Sequence, residues 1–435
     1  MIGKIRAEWD PLKKVVVHKP GVEMFLGLLE PYASLYERAF SRDGARREHD
    51  NLVNVLRTYF GVEVFHLKET ILNAADKSPR IKEKLMEMAA ESRIYGGDEN
   101  EIKRAKLDFE RNSKYIDTQN FFYTAMINPE IHMRKDPGAR NVELNIIARQ
   151  PITNLYFMRD QQFVTDKGIV MSRMAKPSRR KEPKITKFLW EEVFGLPIVH
   201  EIEAPGTIEG GEFIPMGEFA MVGIGDRTNR DAIDQLLKID FEFQELAVVH
   251  QPGHPLVDIN TPDPMIDMHL DTYFNVASSK VVVGCELLIR NARVEIYHNE
   301  GNGKWVKDNK ETNLYEYITG KGFHVINITS LEQLCYASNF LCIHDGKILA
   351  IESERNVKNV LANLKAVSHE DPKRYSRLYA QAKKDYEYLI SEGDFFPHKK
   401  EVYRAGIDAY PIILTNLTGG YGGAHCMTCA LERGV

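Results

Sequence analysis

A single cysteine closes a glycine run near the C-terminus, Gly419-Gly420-Tyr421-Gly422-Gly423-Ala424-His425-Cys426-Met427-Thr428. Glycine accepts positive φ and lets backbone approach a ligand closely, so such a turn suits a thiolate that meets a small planar substrate. Alone the motif leaves other readings open: a mobile tail that happens to hold a cysteine, or Cys426 and Cys429 as a redox pair or half a zinc site. Three further polar clusters bear on the choice: Asn154 to Asp160, Ile208-Glu209-Gly210-Gly211-Glu212 and Met268-His269-Leu270-Asp271. On a strand the period of two would put His269 and Asp271 on one face, although an isolated pair of this kind is more often a solvent-facing strand end. Asp160, Asp271, Glu209, His269 and Cys426 together describe a site for a planar cation with an electrophilic carbon, and a guanidinium fits. Carboxylates hold its plane through paired hydrogen bonds while a thiolate attacks from above it. A histidine beside them can protonate departing ammonia and then deprotonate water.

The elements that would carry these residues recur. A short strand, a tight turn, a second strand and often a helix are read first from Asn154-Leu155-Tyr156-Phe157 to Gly168-Ile169-Val170-Met171. The unit returns at Glu212 to Gly223 with a helix through Asp231 to Leu237, and at Asp271 to Val276 followed by Val281-Val282-Val283. Its clearest copy is Asn339 to His344, an Asp345-Gly346 turn, Lys347 to Ile351 and a helix from Asn356 to Leu364. A spacing of about 55 to 65 residues implies radial repetition. Leu12 to His18 and Pro411 to Leu414 would supply a fifth unit that closes the ring. Residues 70–148 read differently: Arg80 to Ala90 has helical spacing and strand patterns are sparse, so a helical insertion is expected there. The division is then 1–69 as a first portion, 70–148 as the insertion and 149–435 as the remaining repeats with the C-terminal loop.

Composition narrows the setting. The chain has 435 residues, 43% of them hydrophobic, which is ample for a large core. A net charge of -5 with interspersed signs gives no general attraction for nucleic acid or a membrane surface, and Arg179-Arg180-Lys181 is the one basic run worth following. The first ten residues carry no apolar signal core and no stretch approaches a membrane span, so a cytoplasmic protein is expected. Five cysteines form no disulfide framework; Cys285, Cys335 and Cys342 read as packed core thiols, and zinc at Cys426 and Cys429 lacks a second ligand pair.

These motifs resemble the arginine deiminases, within the guanidino-modifying, amidinotransferase-like superfamily. The likeness runs through Leu12 to Gly21, Glu48-His49-Asp50, Asn154 to Asp160, Pro177 to Glu182, Glu209-Gly210-Gly211, His269-Leu270-Asp271 and His425 to Thr428. It implies an α/β fold, a five-bladed α/β propeller of pseudo-fivefold ββαβ repeats with an inserted helical subdomain. It further implies Cys426 as nucleophile, Asp160 and Asp271 as holders of the guanidinium, His269 as general acid and base, and Glu209 as support for ligand and histidine. Asn154, Arg179 and Arg227 match the asparagine and two arginines that grip the α-carboxylate of arginine, and Phe157 falls among the substrate-binding residues. The implied reaction converts L-arginine to L-citrulline and ammonia through a Cys amidino-thioether. The implied partner is a small guanidino substrate, the assembly a homo-oligomer, and no metal or organic cofactor is called for. Two departures bear on specificity. Tyr421 stands where these enzymes often carry an arginine five residues before the cysteine, and Leu35-Tyr36-Glu37-Arg38-Ala39-Phe40 replaces a Leu-Phe-Asp-Asp-like loop. The departures leave room for an amidinotransferase, in which an amine resolves the intermediate, or for a dihydrolase that continues to ornithine. A degenerate arginine-binding module would need no thiol.

Overall fold

The computed structural model describes residues 3–135 and 142–434. Its strands are short apolar runs buried on both faces, as in Val15-Val16-Val17 and Ala220-Met221-Val222. Such runs form where helices or other sheets cover both sides. Five sheets share one pattern, an antiparallel pair whose second strand also lies beside a parallel third. Gln162–Val164 and Ile169–Met171 pair antiparallel, and the latter runs parallel to Ile198–Glu201. Phe213–Met216, Phe219–Ile224 and Glu245–His250 repeat this, as do Phe274–Val276, Val281–Gly284 and His324–Asn327. Leu341–His344, Lys347–Ile351 and Asp408–Ile412 form the fourth copy. The fifth joins the chain ends: Cys429–Arg433 is antiparallel to Leu12–Val17, which is parallel to Glu63–His66.

Parallel third strands need crossovers, and helices supply them. Glu182–Phe188 and Arg230–Leu236 serve the first two sheets named, and Glu354–Glu370, Pro372–Glu392 and Lys400–Arg404 the fourth. The two long helices pack along Val357, Val360 and Leu364 on one and Leu378, Ala382 and Leu389 on the other. The sheet through Glu245–His250 is extended by Arg293–Asn299, Trp305–Lys307 and Thr312–Asn313.

The described residues of 67–148 include the α-helices Leu67–Lys77, Pro79–Glu91, Glu99–Asn112 and Thr118–Ile127. Their starts follow local chemistry: Ser78 caps a helix that opens with Pro79, and Asp98 and Glu101 form a capping box. The segment is not wholly helical, because Ile94–Gly96, Pro129–Lys135 and Val142–Ala148 make a three-stranded sheet. Three strand readings also change. Pro411 and Ile412 lie on Asp408–Ile412 beside Lys347–Ile351, so Cys429–Arg433 and not this run pairs with Leu12–Val17. Asn154 to Phe157 is a turn, and the first strand of that unit begins at Gln162. His269 and Asp271 flank and enter the single helical turn Leu270–Thr272, so no strand face pairs them. Among the described residues no helix is long and apolar enough to cross a membrane.

Candidate active site

Polar residues stand immediately ahead of the first strand of every repeated unit. Asp160 precedes Gln162–Val164, Glu209 and Glu212 precede Phe213–Met216, and His269 and Asp271 precede Phe274–Val276. Asn339 precedes Leu341–His344, and Cys426 precedes Cys429–Arg433. The strands anchor these loops in the core, so the side chains are held by rigid elements while their backbone remains free to turn.

All five expected catalytic residues, Cys426, Asp271, His269, Glu209 and Asp160, make one buried constellation. Cys426 Sγ is 3.5 Å from Asp271 Oδ2, which is 2.7 Å from His425 Nδ1. His269 Nε2 is 3.0 Å from Glu209 Oε2, and its Nδ1 is 3.8 Å from Asp160 Oδ1. Gly211 makes this crowding feasible: a Cβ there would lie 2.7 Å from His269 Nδ1 and 3.1 Å from Asp271 Oδ1. His269, Asp160 and Cys426 line a small cavity with Asn154, Phe157, Arg179, Arg227 and Tyr421.

Charge in the constellation is polarised. Burial would lower the His269 pKa, but Asp160 and Glu209 more than offset it and raise it to about 9, so the imidazolium persists at neutral pH. Burial likewise opposes charge on Glu209, yet His269, Arg227 and Arg179 hold its carboxyl below the usual range. Asp271 is held down by its hydrogen bond to His425, again against burial. Glu212, buried with no cation at hand-to-hand distance, is raised to about 7. Burial, then Asp271 and Asp160, push the Cys426 thiol well up.

The recognition residues are arranged less simply. Arg227 is fully buried, with Nη2 on Met265 Sδ at 3.0 Å and Nη1 3.8 Å from Glu209, while Nε and Nη1 have no hydrogen-bond acceptor. Asn154 donates to Ser34 O at 2.8 Å. Arg179, expected at a ligand carboxylate, points its guanidinium at protein carboxylates instead: Nη1 is 2.8 Å from Asp160 Oδ2 and Nη2 is 2.9 Å from Glu182 Oε2. Donor atoms of Asp160, Glu209 and His269 lie within 4.8 Å of one another, as a metal set would, but the Arg179 cation already neutralises that corner.

Several participants were not anticipated. Asn339 donates to Cys426 Sγ at 3.1 Å and accepts from the backbone N–H groups of Gly423 and Cys426 at 2.8 and 3.1 Å. It clamps the glycine loop. Its position ahead of a repeat strand, like Asp160, was the available signal. Glu8 joins Arg159 and Arg433 at 3.0 and 2.9 Å, and Arg159 Nε reaches His425 O at 2.9 Å, which fixes the loop from behind. Cys285, Cys335 and Cys342 are buried free thiols, as is Cys429.

The mixed α/β fold is shared with proteins of solved structure. The amidinotransferase SxtG of Microseira wollei aligns over 100% of this chain and 98% of its own with a TM-score of 0.50 at 12% identity. AgrE, solved with ornithine and NAD+, aligns over 97% of this chain and 39% of its own with a TM-score of 0.51 at 13% identity. The sequence goes further than the fold. An arginine deiminase of Halobacterium salinarum is 27% identical over 504 aligned positions, covering 98% of this chain and 96% of that protein. One from Staphylococcus aureus is 26% identical over 405 positions, covering 84% and 92%. The arginine deiminase family model matches residues 33–433, and the chain belongs to that family.

Proposed function

We propose that the protein hydrolyses L-arginine to L-citrulline and ammonia through a covalent intermediate on Cys426. The observation that carries this reading is a pattern of unsatisfied groups. Asp160 Oδ1 and Asp271 Oδ1 are buried acceptors without donors, whereas Arg227 Nη1 is a buried donor without an acceptor and Nε has only the Asp226 carboxylate at 3.3 Å, outside hydrogen-bond geometry. Each such group costs about 1–3 kcal/mol, so a ligand with a cation at one end and a carboxylate at the other answers both deficits. Free arginine has that form, with its guanidinium toward the aspartates and its α-carboxylate toward Arg227 and Asn154.

Arrival of the guanidinium also resolves the charge state of the thiol. Asp271 and Asp160 oppose the thiolate, and a substrate cation between them reverses that field and favours loss of the thiol proton to solvent. The sulfur then bonds to the guanidinium carbon. His269 donates its proton as the bond to a terminal nitrogen breaks, and ammonia departs. The neutral imidazole takes a proton from water, whose oxygen bonds to the same carbon; the C–S bond breaks and leaves the ureido product. Arg179 is part of this cycle because its guanidinium stands where the substrate cation must bind. Substrate displaces it from Asp160, and its freed fork turns to the α-carboxylate.

The five sheets are read as blades of a propeller, closed by the pairing of Leu12–Val17 with Cys429–Arg433, with 70–148 inserted between the first and second blades. Convergence of the pre-strand loops on one cavity supports this arrangement. The test of function is product analysis after incubation with L-arginine alone. Citrulline with one equivalent of ammonia supports the deiminase, ornithine with two equivalents the dihydrolase, and turnover only with an added amine the amidinotransferase.

A further inference from the structure

A second chamber of ≈ 80 Å³ adjoins the Cys426 cavity, with Met265 and Tyr421 lining both. It is larger than one water's share of volume, about 30 Å³. Its lining includes two carboxylates, Glu37 and Asp263, and no lysine or arginine among the described residues. Glu37 is buried there, paired with Arg38 and accepting from Tyr336 and Asn363 at 3.2 Å. Asp263 has only neutral donors, the Met265 N–H at 3.0 Å and the Tyr375 hydroxyl at 2.7 Å, and it pairs with no cation among the described residues. Gln333 supplies the independent sign of a missing ligand. Its Nε2 donates to the carbonyls of Ile266 and Thr272 at 2.9 and 3.1 Å, which fixes the amide, and its buried Oε1 is left without a donor. The opposite wall is apolar, built from Val360, Leu364 and Val367 of helix Glu354–Glu370.

We propose that this chamber binds a primary alkylammonium, its chain against Val360 and Leu364 and its ammonium among Asp263, Glu37 and Gln333 Oε1. An ammonium has three donors and one charge, which match an uncompensated carboxylate, an orphaned amide oxygen and the nearby tyrosines. Two sources share that chemistry: the α-ammonium of the guanidino substrate and a separate amine. The inference rests on the proposed function only in treating the neighbouring cavity as the guanidino site. Tyr421, at the boundary of the two spaces, becomes a specificity-determining residue, and the absence of a cation at this position keeps the chamber's field negative.

Isothermal titration of the full-length Cys426→Ala protein with n-butylamine tests the proposal without turnover. Expected is saturable binding that weakens at least about tenfold in Asp263→Asn, the loss of one charge-assisted hydrogen bond. Leu364→Phe, which fills the apolar wall, should weaken it similarly, with an unchanged melting midpoint to confirm folding. Butylamine binding that persists under saturating L-arginine assigns the chamber to a separate amine. Displacement by L-arginine but not by 5-guanidinopentanoate, which lacks the α-amino group, assigns it to the substrate's own ammonium. No binding, an affinity in both variants equal to that of the Cys426→Ala parent, or displacement by both guanidino compounds overturns the proposal. Because no chemistry is measured, these outcomes are separate from a failure to form citrulline.

Discussion

Asp160 and Asp271 are the same residue type beside the same cavity, yet their surroundings differ. Asp271 is locked: His425 holds one oxygen at 2.7 Å, and the loop behind it is fixed by Arg159, Glu8 and Arg433. Asp160 is paired with Arg179, which also contacts Glu182, and the proposed cycle exchanges this cation for the substrate's. A rigid carboxylate next to the sulfur suits bond formation, where small displacements are costly. A carboxylate that trades one guanidinium for another suits recognition. The comparison teaches that electrostatic equivalence in sequence does not entail equivalence of role.

The largest effect should come from the locked side. Cys426→Ala should reduce turnover by at least about 10⁴-fold while L-arginine still binds, as calorimetry beside steady-state kinetics would show. Asp271→Asn should lower kcat by roughly 10²–10³-fold, since it removes the charge that holds the guanidinium carbon beside the sulfur, with little gain from added substrate. On the exchangeable side Asp160→Asn should act mainly through KM, and a kcat loss equal to that of Asp271→Asn would erase the distinction. Arg227→Ala should raise KM for L-arginine by about 10- to 100-fold and leave agmatine, which lacks the carboxylate, nearly unaffected. Equal effects on both substrates would reject Arg227 as the carboxylate partner.

The smallest effect is in pH. His269 has its pKa raised to about 9, so its ion pair with Glu209 contributes stability fully present below the unfolded histidine value and lost as pH rises through about 9. The general-acid form follows the same limb. Activity should therefore fall above about pH 9, and Glu209→Gln should move that limb toward lower pH; an unmoved limb in the variant's pH profile would dissociate Glu209 from the histidine.

The sequence made the reacting groups readable because each precedes a short apolar strand, and the repetition of that pattern singled out one end of every sheet. The same signal covered Asn339, whose role depends on a loop 87 residues away, and no local spacing announces such a bond. Glu8 and Arg159 are 151 residues apart for the same reason. Leu155, Tyr156, Phe157 and Met158 misled as a strand because all are buried, and a buried turn yields the same apolar run. The sheet within 67–148 escaped notice because Pro129–Lys135 mixes charges with apolar residues and gives no clear alternation. Arg179 was legible as a residue of this cavity, whereas its pairing with Asp160 and Glu182 depends on the fold.

The most direct measurement is mass spectrometry of the Cys426 peptide from protein acid-quenched during turnover of L-arginine. The account predicts a gain equal to arginine less ammonia, because the side chain remains on the sulfur-bound carbon after ammonia leaves. A gain of the amidino group alone, or no adduct on Cys426 while citrulline accumulates, would contradict it.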